Sequence, residues 1–73
     1  MALEATLGRA GVNRVVLEQY HEGIYVFVFE RPGSPHPYRD YLQDTWAQAK
    51  GFCEDEYGIS ESDWKEIPDP RLR

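Results

Sequence analysis

The stretch Ile24 to Phe29, reading IYVFVF, constrains this chain more than any other. All six residues are β-branched or aromatic, the types that suit a pleated and buried surface. Alternation along a strand sends Ile24, Val26 and Val28 to one side and Tyr25, Phe27 and Phe29 to the other. Both sides are therefore apolar. A half-solvated antiparallel sheet shows water a polar face, so this strand predicts a sheet that needs a cover on each side.

The segments around it supply a partner and one cover. Val12 to Tyr20 (VNRVVLEQY) predicts a strand that forms a hairpin with Ile24 to Arg31. A His21-Glu22-Gly23 loop with glycine last suits a left-handed position and sets Tyr20 against Ile24, Glu18 against Val26 and Val16 against Val28. A two-residue Glu22-Gly23 loop would shift that pairing. On the three-residue register Val15 and Leu17 share the face of Tyr25, Phe27 and Phe29. Pro32 to Pro37 holds three prolines in six residues and must end the strand.

A helix is predicted from about Tyr38 to Tyr57. Leu42, Trp46, Ala49, Cys53 and Tyr57 recur at helical steps, and Tyr38, Tyr41, Thr45 and Phe52 widen the stripe. Gly58 stands where a left-handed cap belongs, with Ile59 free to pack back on the last turn. Trp64 to Ile67 reads as a short third strand before Pro68. The fold class is then α+β: a two-layer ββα(β) arrangement, with an antiparallel hairpin packed on one amphipathic helix. The 73 residues make a single small domain, with 1–11 and 69–73 expected to be loose or frayed.

Charge and cysteine content narrow the partners. Eight Lys and Arg against thirteen Asp and Glu leave a formal charge of −5. Nucleic-acid binders carry a basic patch, and anionic membranes attract basic segments, so neither partner is expected. The RNA-recognition strand motif also fails at Glu22-Gly23-Ile24-Tyr25, where an acid leads and a tyrosine stands in a small residue's place. The opening MALEATLGRAG has no basic or apolar leader pattern, and the longest apolar run is six residues against the roughly 20 of a membrane span. With the single Cys53, which excludes an internal disulfide, this points to a cytoplasmic protein.

Chemistry-bearing residues do not converge. His21, His36 and Cys53 are scattered and lack the close pairs of a structural zinc site, so no metal is expected. Cys53 falls on the buried stripe beside Glu54, Asp55 and Glu56, surroundings that oppose a thiolate. That acidic run lies on a helix rather than in a metal-binding loop. No phosphate-cradling glycine motif is present, and no cofactor is expected. These features predict a small non-catalytic, cytosolic protein-interaction domain rather than an enzyme. Its surface would be Tyr25, Phe27 and Phe29 with Val15 and Leu17, meeting a second copy in a homodimer or another protein. The alternative is a plain monomer in which Leu3, Leu7 and the Trp64 segment cover the second face; a small-ligand-binding or enzymatic protein comes third.

Overall fold

The computed structural model describes residues 2–9, 11–31 and 33–68. Five antiparallel strands form one sheet: β1 (Ala2–Arg9), β2 (Val12–Tyr20), β3 (Gly23–Phe29), β4 (Arg39–Gln43) and β5 (Lys65–Ile67). They lie in the order β4-β3-β2-β1-β5, with α1 (Trp46–Tyr57), the one α-helix among the described residues, forming the second layer. The α+β two-layer class expected from the sequence is the observed one.

The sheet is wider than the hairpin and third strand expected. Ala2–Arg9 is a strand rather than a frayed end. Leu3 stands opposite Leu17 and Ala5 opposite Val15, while the register shifts between Thr6 and Arg9. Alanine is a weak strand former, so the period-two pattern of Leu3, Ala5 and Leu7 is faint until a neighbouring strand is present to pair with it. The segment expected to open the helix is a strand too. Arg39–Gln43 pairs with β3, setting Tyr41 against Val26 and Leu42 against Tyr25. It occupies the edge that β3 would otherwise leave with unpaired backbone groups. Lys65–Ile67 does pair at a sheet edge as expected, against Ala2–Glu4 of β1. Of the termini expected to be loose, 69–73 lie outside the described residues.

The helix begins eight residues later than its apolar spacing suggested, at Trp46. Thr45 is its cap, the hydroxyl Oγ1 accepting from the Gln48 N–H at 3.1 Å. Leu42 and Trp46 are four apart in either arrangement, so spacing alone did not separate strand end from helix start. At the other end Gly58 is left-handed (φ 69°), and its N–H reaches Glu54 O at 3.0 Å. Ile59 packs back to full burial, as the cap predicts.

The β2–β3 register decides the two faces. Tyr20 pairs with Gly23, leaving only His21 and Glu22 in the turn, and Leu17 faces Val26 while Val15 faces Val28. This is one residue from the expected pairing, and a one-residue slip exchanges the faces of a strand. Gly23 is a strand residue, not a loop residue. Its φ is 149°, and a Cβ there would collide with the backbone carbonyl oxygen of Gln43. The close approach of β4 is thus what requires glycine.

Val15 and Leu17 accordingly join Ile24, Val26, Val28 and Ala5 on the helix-covered face, beneath Ala49, Cys53 and Ile59. Trp46, Phe52, Tyr57 and Trp64 close the margins of this core. Tyr41 supports the helix from β4, its ring 4.7 Å from that of Phe52.

Candidate functional site: the helix-free face

The other face carries the even-numbered residues of β1, β2, β4 and the odd ones of β3 and β5. Three rows cross it, each read from cross-strand partners. Ile67, Ala2, Glu18, Tyr25 and Leu42 form one; Lys65, Glu4, Val16, Phe27 and Asp40 form the next; Thr6, Arg14 and Phe29 form the third. Ala2, Val16 and Phe29 are buried here as a second, smaller core, with Phe27 and Ile67 packed against it. The strand Ile24–Phe29 thus has the helix over Ile24, Val26 and Val28, and the segment that follows β3 beside Phe27 and Phe29.

That cover is partial. After β3 the chain turns, Ser34 N–H reaching Arg31 O at 3.3 Å and Ser34 Oγ donating to His36 O at 2.9 Å. The Gly33–Pro37 segment forms one wall of a cavity of about 460 Å³ whose floor is Val16, Phe27 and Phe29. Ile67 bounds the opposite side, and Glu4, Arg14 and Glu18 supply its polar lining. Volumes of roughly 300–1,000 Å³ are usual for binding sites. The stiff proline segment, which cannot pair as a strand, is suited to hold such a wall in place.

Charges inside the cavity are arranged rather than scattered. Arg14 lies 3.8 Å above the Phe29 ring, a cation–π distance, and 3.5 Å from Glu4. Glu4 has Lys65 as its cross-strand partner as well. Glu18 is only 7% exposed, the sole buried charged residue among those described. The Tyr20 hydroxyl donates to its Oε1 at 3.4 Å. Tyr20, Tyr25 and Phe27 form an aromatic bank beside it: Tyr20 meets Tyr25 edge-on at 4.9 Å, and Tyr25 stacks on Phe27 at 5.7 Å.

The residues singled out from the sequence divide between the faces. Tyr25, Phe27 and Phe29 come together on this surface. Val15 and Leu17 do not; both are fully buried under the helix. The pairing that removes them brings in Arg14, Val16, Glu18 and Tyr20, which the sequence reading did not single out. Their common parity along β2 was visible, but a two-residue turn had to be assigned before that parity named a face.

The scattered ligands stay scattered. His21 and His36 are exposed in separate loops, and Cys53 is enclosed in the helix-side core, where burial pushes its thiol up to about 12. Among the described residues no group of three or more His, Cys, Asp or Glu is placed to hold a metal ion. Glu54, Asp55 and Glu56 are exposed on the helix, while Lys50 pairs with Glu61 at 2.9 Å. Among the described residues no helix is long and apolar enough to cross a membrane. Comparison with protein-family models, with curated proteins and with solved structures finds no match to this chain.

Proposed function

We propose that this chain is a small non-catalytic interaction domain whose binding surface is the helix-free face of its sheet. One observation carries the reading. The face is neither the polar surface of a half-solvated sheet nor a closed core, but an open groove with an apolar floor, an aromatic bank and fixed charges. The single thiol, Cys53, is buried with its pKa raised, which supports a binding role over thiol catalysis. A reduced, enclosed cysteine also suits a cytoplasmic setting.

A second copy is the less favoured occupant. A standard interface takes about 800 Å² from each partner, a sixth of the 4787 Å² this chain exposes, which would draw in most of the face with its charged rows. Those rows hold Glu4, Glu18 and Asp40 against Arg14 and Lys65. Two such faces would meet with like net charge, and each chain carries −5 overall. Two concave walls would also leave a void between them.

The test is a random-peptide library displayed on phage and selected against the full chain, with the binding of enriched peptides mapped by backbone amide chemical shifts. The reading expects perturbed amides to cluster at Arg14–Glu18, Phe27–Phe29 and Ile67. Failure to enrich any binder, or binding mapped to the exposed face of α1, would refute it. Sedimentation across micromolar to millimolar concentration would detect the homodimer instead.

A further inference from the structure

We infer that the outer edge of β4 accepts an extended segment of another protein as an added strand. That strand sets an acidic side chain against Arg39, a basic one against Asp40 and an aliphatic one against Leu42. The site is the backbone edge of the sheet rather than the groove, so it stands or falls apart from the reading of the helix-free face.

The backbone dictates what kind of occupant fits. In the order β4-β3-β2-β1-β5, β4 has one strand neighbour, β3. The side of β4 turned away from β3 carries main-chain N–H and C=O groups that no strand among the described residues meets. Such an edge is a template for another extended chain. Arg39–Gln43 is five residues long, a usual strand length, whereas β5 at the other edge has three. The exposed large hydrophobic residues among those described are Tyr38 and Leu42, each 46% exposed, and both lie at or beside β4. Charge, proline or a covering element keeps most natural edges from pairing; apolar side chains standing in water beside this one favour it.

The side chains of β4 then set the chemistry. Arg39 and Asp40 are both exposed, and neither forms an ion pair among the described residues. Arg39 rests on neutral groups: Nη1 donates to the Tyr41 hydroxyl at 3.2 Å, and the guanidinium lies 5.6 Å from the Tyr38 ring centre. Further guanidinium N–H groups are left for a carboxylate. Arg39 shares the helix side with Tyr41, while Asp40 and Leu42 share the other side, Leu42 opposite Tyr25. Residues opposite one another in paired strands lie on one face. An antiparallel newcomer therefore needs, in chain order, an aliphatic residue against Leu42, any residue against Tyr41, a basic one against Asp40 and an acidic one against Arg39.

A second copy does not meet that demand. A two-fold that sets two β4 edges antiparallel leaves both helices on one side of the joined sheet, so residues of equal parity stand opposite. Arg39 would face Pro37, Tyr41, Gln43 or another Arg39, and Asp40 would face His36, Tyr38, Leu42, Asp44 or another Asp40. No register over 36–44 gives Arg39 an acid, or Asp40 a lysine or arginine. The occupant is a different chain.

The probe is the acetylated, amidated peptide Ser-Thr-Leu-Thr-Lys-Glu-Thr-Ser, titrated into the full chain and followed by backbone amide chemical shifts. Shifts are expected to saturate and to cluster at Arg39–Gln43. Exchanging the two charges, Glu-Lys for Lys-Glu, keeps composition and net charge. It is expected to weaken binding about fivefold, because each charge then meets its like across the strands. In a variant carrying both Arg39→Glu and Asp40→Lys the preference should reverse. The peptide arms need no protein variant, so they decide the matter even if that one folds poorly. N-methylation of alternate peptide residues removes the donors on one side of the added strand; methylation of one set should abolish binding and of the other should spare it. No saturable shift at β4 with millimolar peptide would overturn the inference, as would equal binding of the two charge orders or of the two methylated peptides. Shifts confined to Arg14–Glu18 and Phe27–Phe29 would overturn it and support the groove instead. A dimer of the chain alone, seen by sedimentation with its β4 amides protected from exchange, would overturn the choice of a different protein.

Discussion

Leu17 tests the register on which both faces depend. It is fully buried, it stands opposite Val26, and it packs in the core beneath the helix. Leu17→Ala removes three carbon atoms from a site closed on all sides, and large-to-small changes of this kind cost roughly 2–5 kcal/mol. A chain of this length has a total stability of roughly 4–11 kcal/mol at the usual per-residue values. A loss of about 3 kcal/mol should therefore lower the thermal midpoint by roughly 12–24 °C. If Leu17 instead lay in the open groove beside Phe27, partial exposure would hold the loss to about 1 kcal/mol. A double-mutant cycle sharpens the distinction. Leu17→Ala and Val26→Ala should couple by about 0.5 kcal/mol or more because the two side chains touch across the strands. Leu17→Ala and Phe27→Ala, on opposite faces, should add within about 0.5 kcal/mol. Urea unfolding followed by circular dichroism supplies the numbers, with sucrose present to keep the double variants folded. Stronger coupling to Phe27 than to Val26 would refute the register, and with it the assignment of Arg14 and Glu18 to the groove.

Gly23→Ala should cost roughly 2–4 kcal/mol, because the new methyl group meets the Gln43 carbonyl and φ stays positive; a loss below about 1 kcal/mol would show that β4 does not approach so closely. Gly58→Ala should cost about 1–2 kcal/mol at its left-handed cap, read as a drop in helix stability by hydrogen exchange in the last turn; unchanged protection there would contradict the cap. Cys53 should resist thiol reagents in the native protein at pH 8. Its thiol titrates near the ordinary value of 9.0 once unfolded and at about 12 when buried, so the unfolded state loses its proton first. The contribution of this thiol to stability is then constant below about pH 9 and is lost as pH rises from there toward 12. Tyr57, raised from 10.0 to about 12 chiefly by burial, adds to the same alkaline loss. Fast native labelling, or stability held flat to pH 11, would count against this core.

Local signals in the chain named several elements correctly. The hairpin strands, the break at the proline segment, the caged end of the helix at Gly58-Ile59 and the short strand near Trp64 were all written in neighbouring residues. Turn chemistry, proline and a cap glycine act over a few positions and need no partner. The strands β1 and β4 were not legible in that way. ALEATLGR and RDYLQ are weak strand formers by themselves, and they become strands because β2 and β3 offer them unpaired backbone and an apolar neighbour. Leu42 belonged equally well to a helical stripe or to a strand edge, and only the open side of β3 chose between them.

By itself the sequence determined that Ile24–Phe29 is a central strand with two apolar faces, because alternation in a strand is a local rule and the residue types are unambiguous. It also determined the excess of acid and the isolation of the histidines and the cysteine. Which residues share each face was decided by tertiary structure. The glycine at 23 is compatible with a loop of three residues or with a strand beginning there, and the chain alone does not distinguish them. Packing of β4 across Gly23 holds the turn at two residues, sends Val15 and Leu17 under the helix, and turns Arg14, Val16 and Glu18 toward Phe27 and Phe29. A one-residue difference in pairing moves every side chain of β2 to the opposite face, so the groove exists only once the neighbouring strands have set that register.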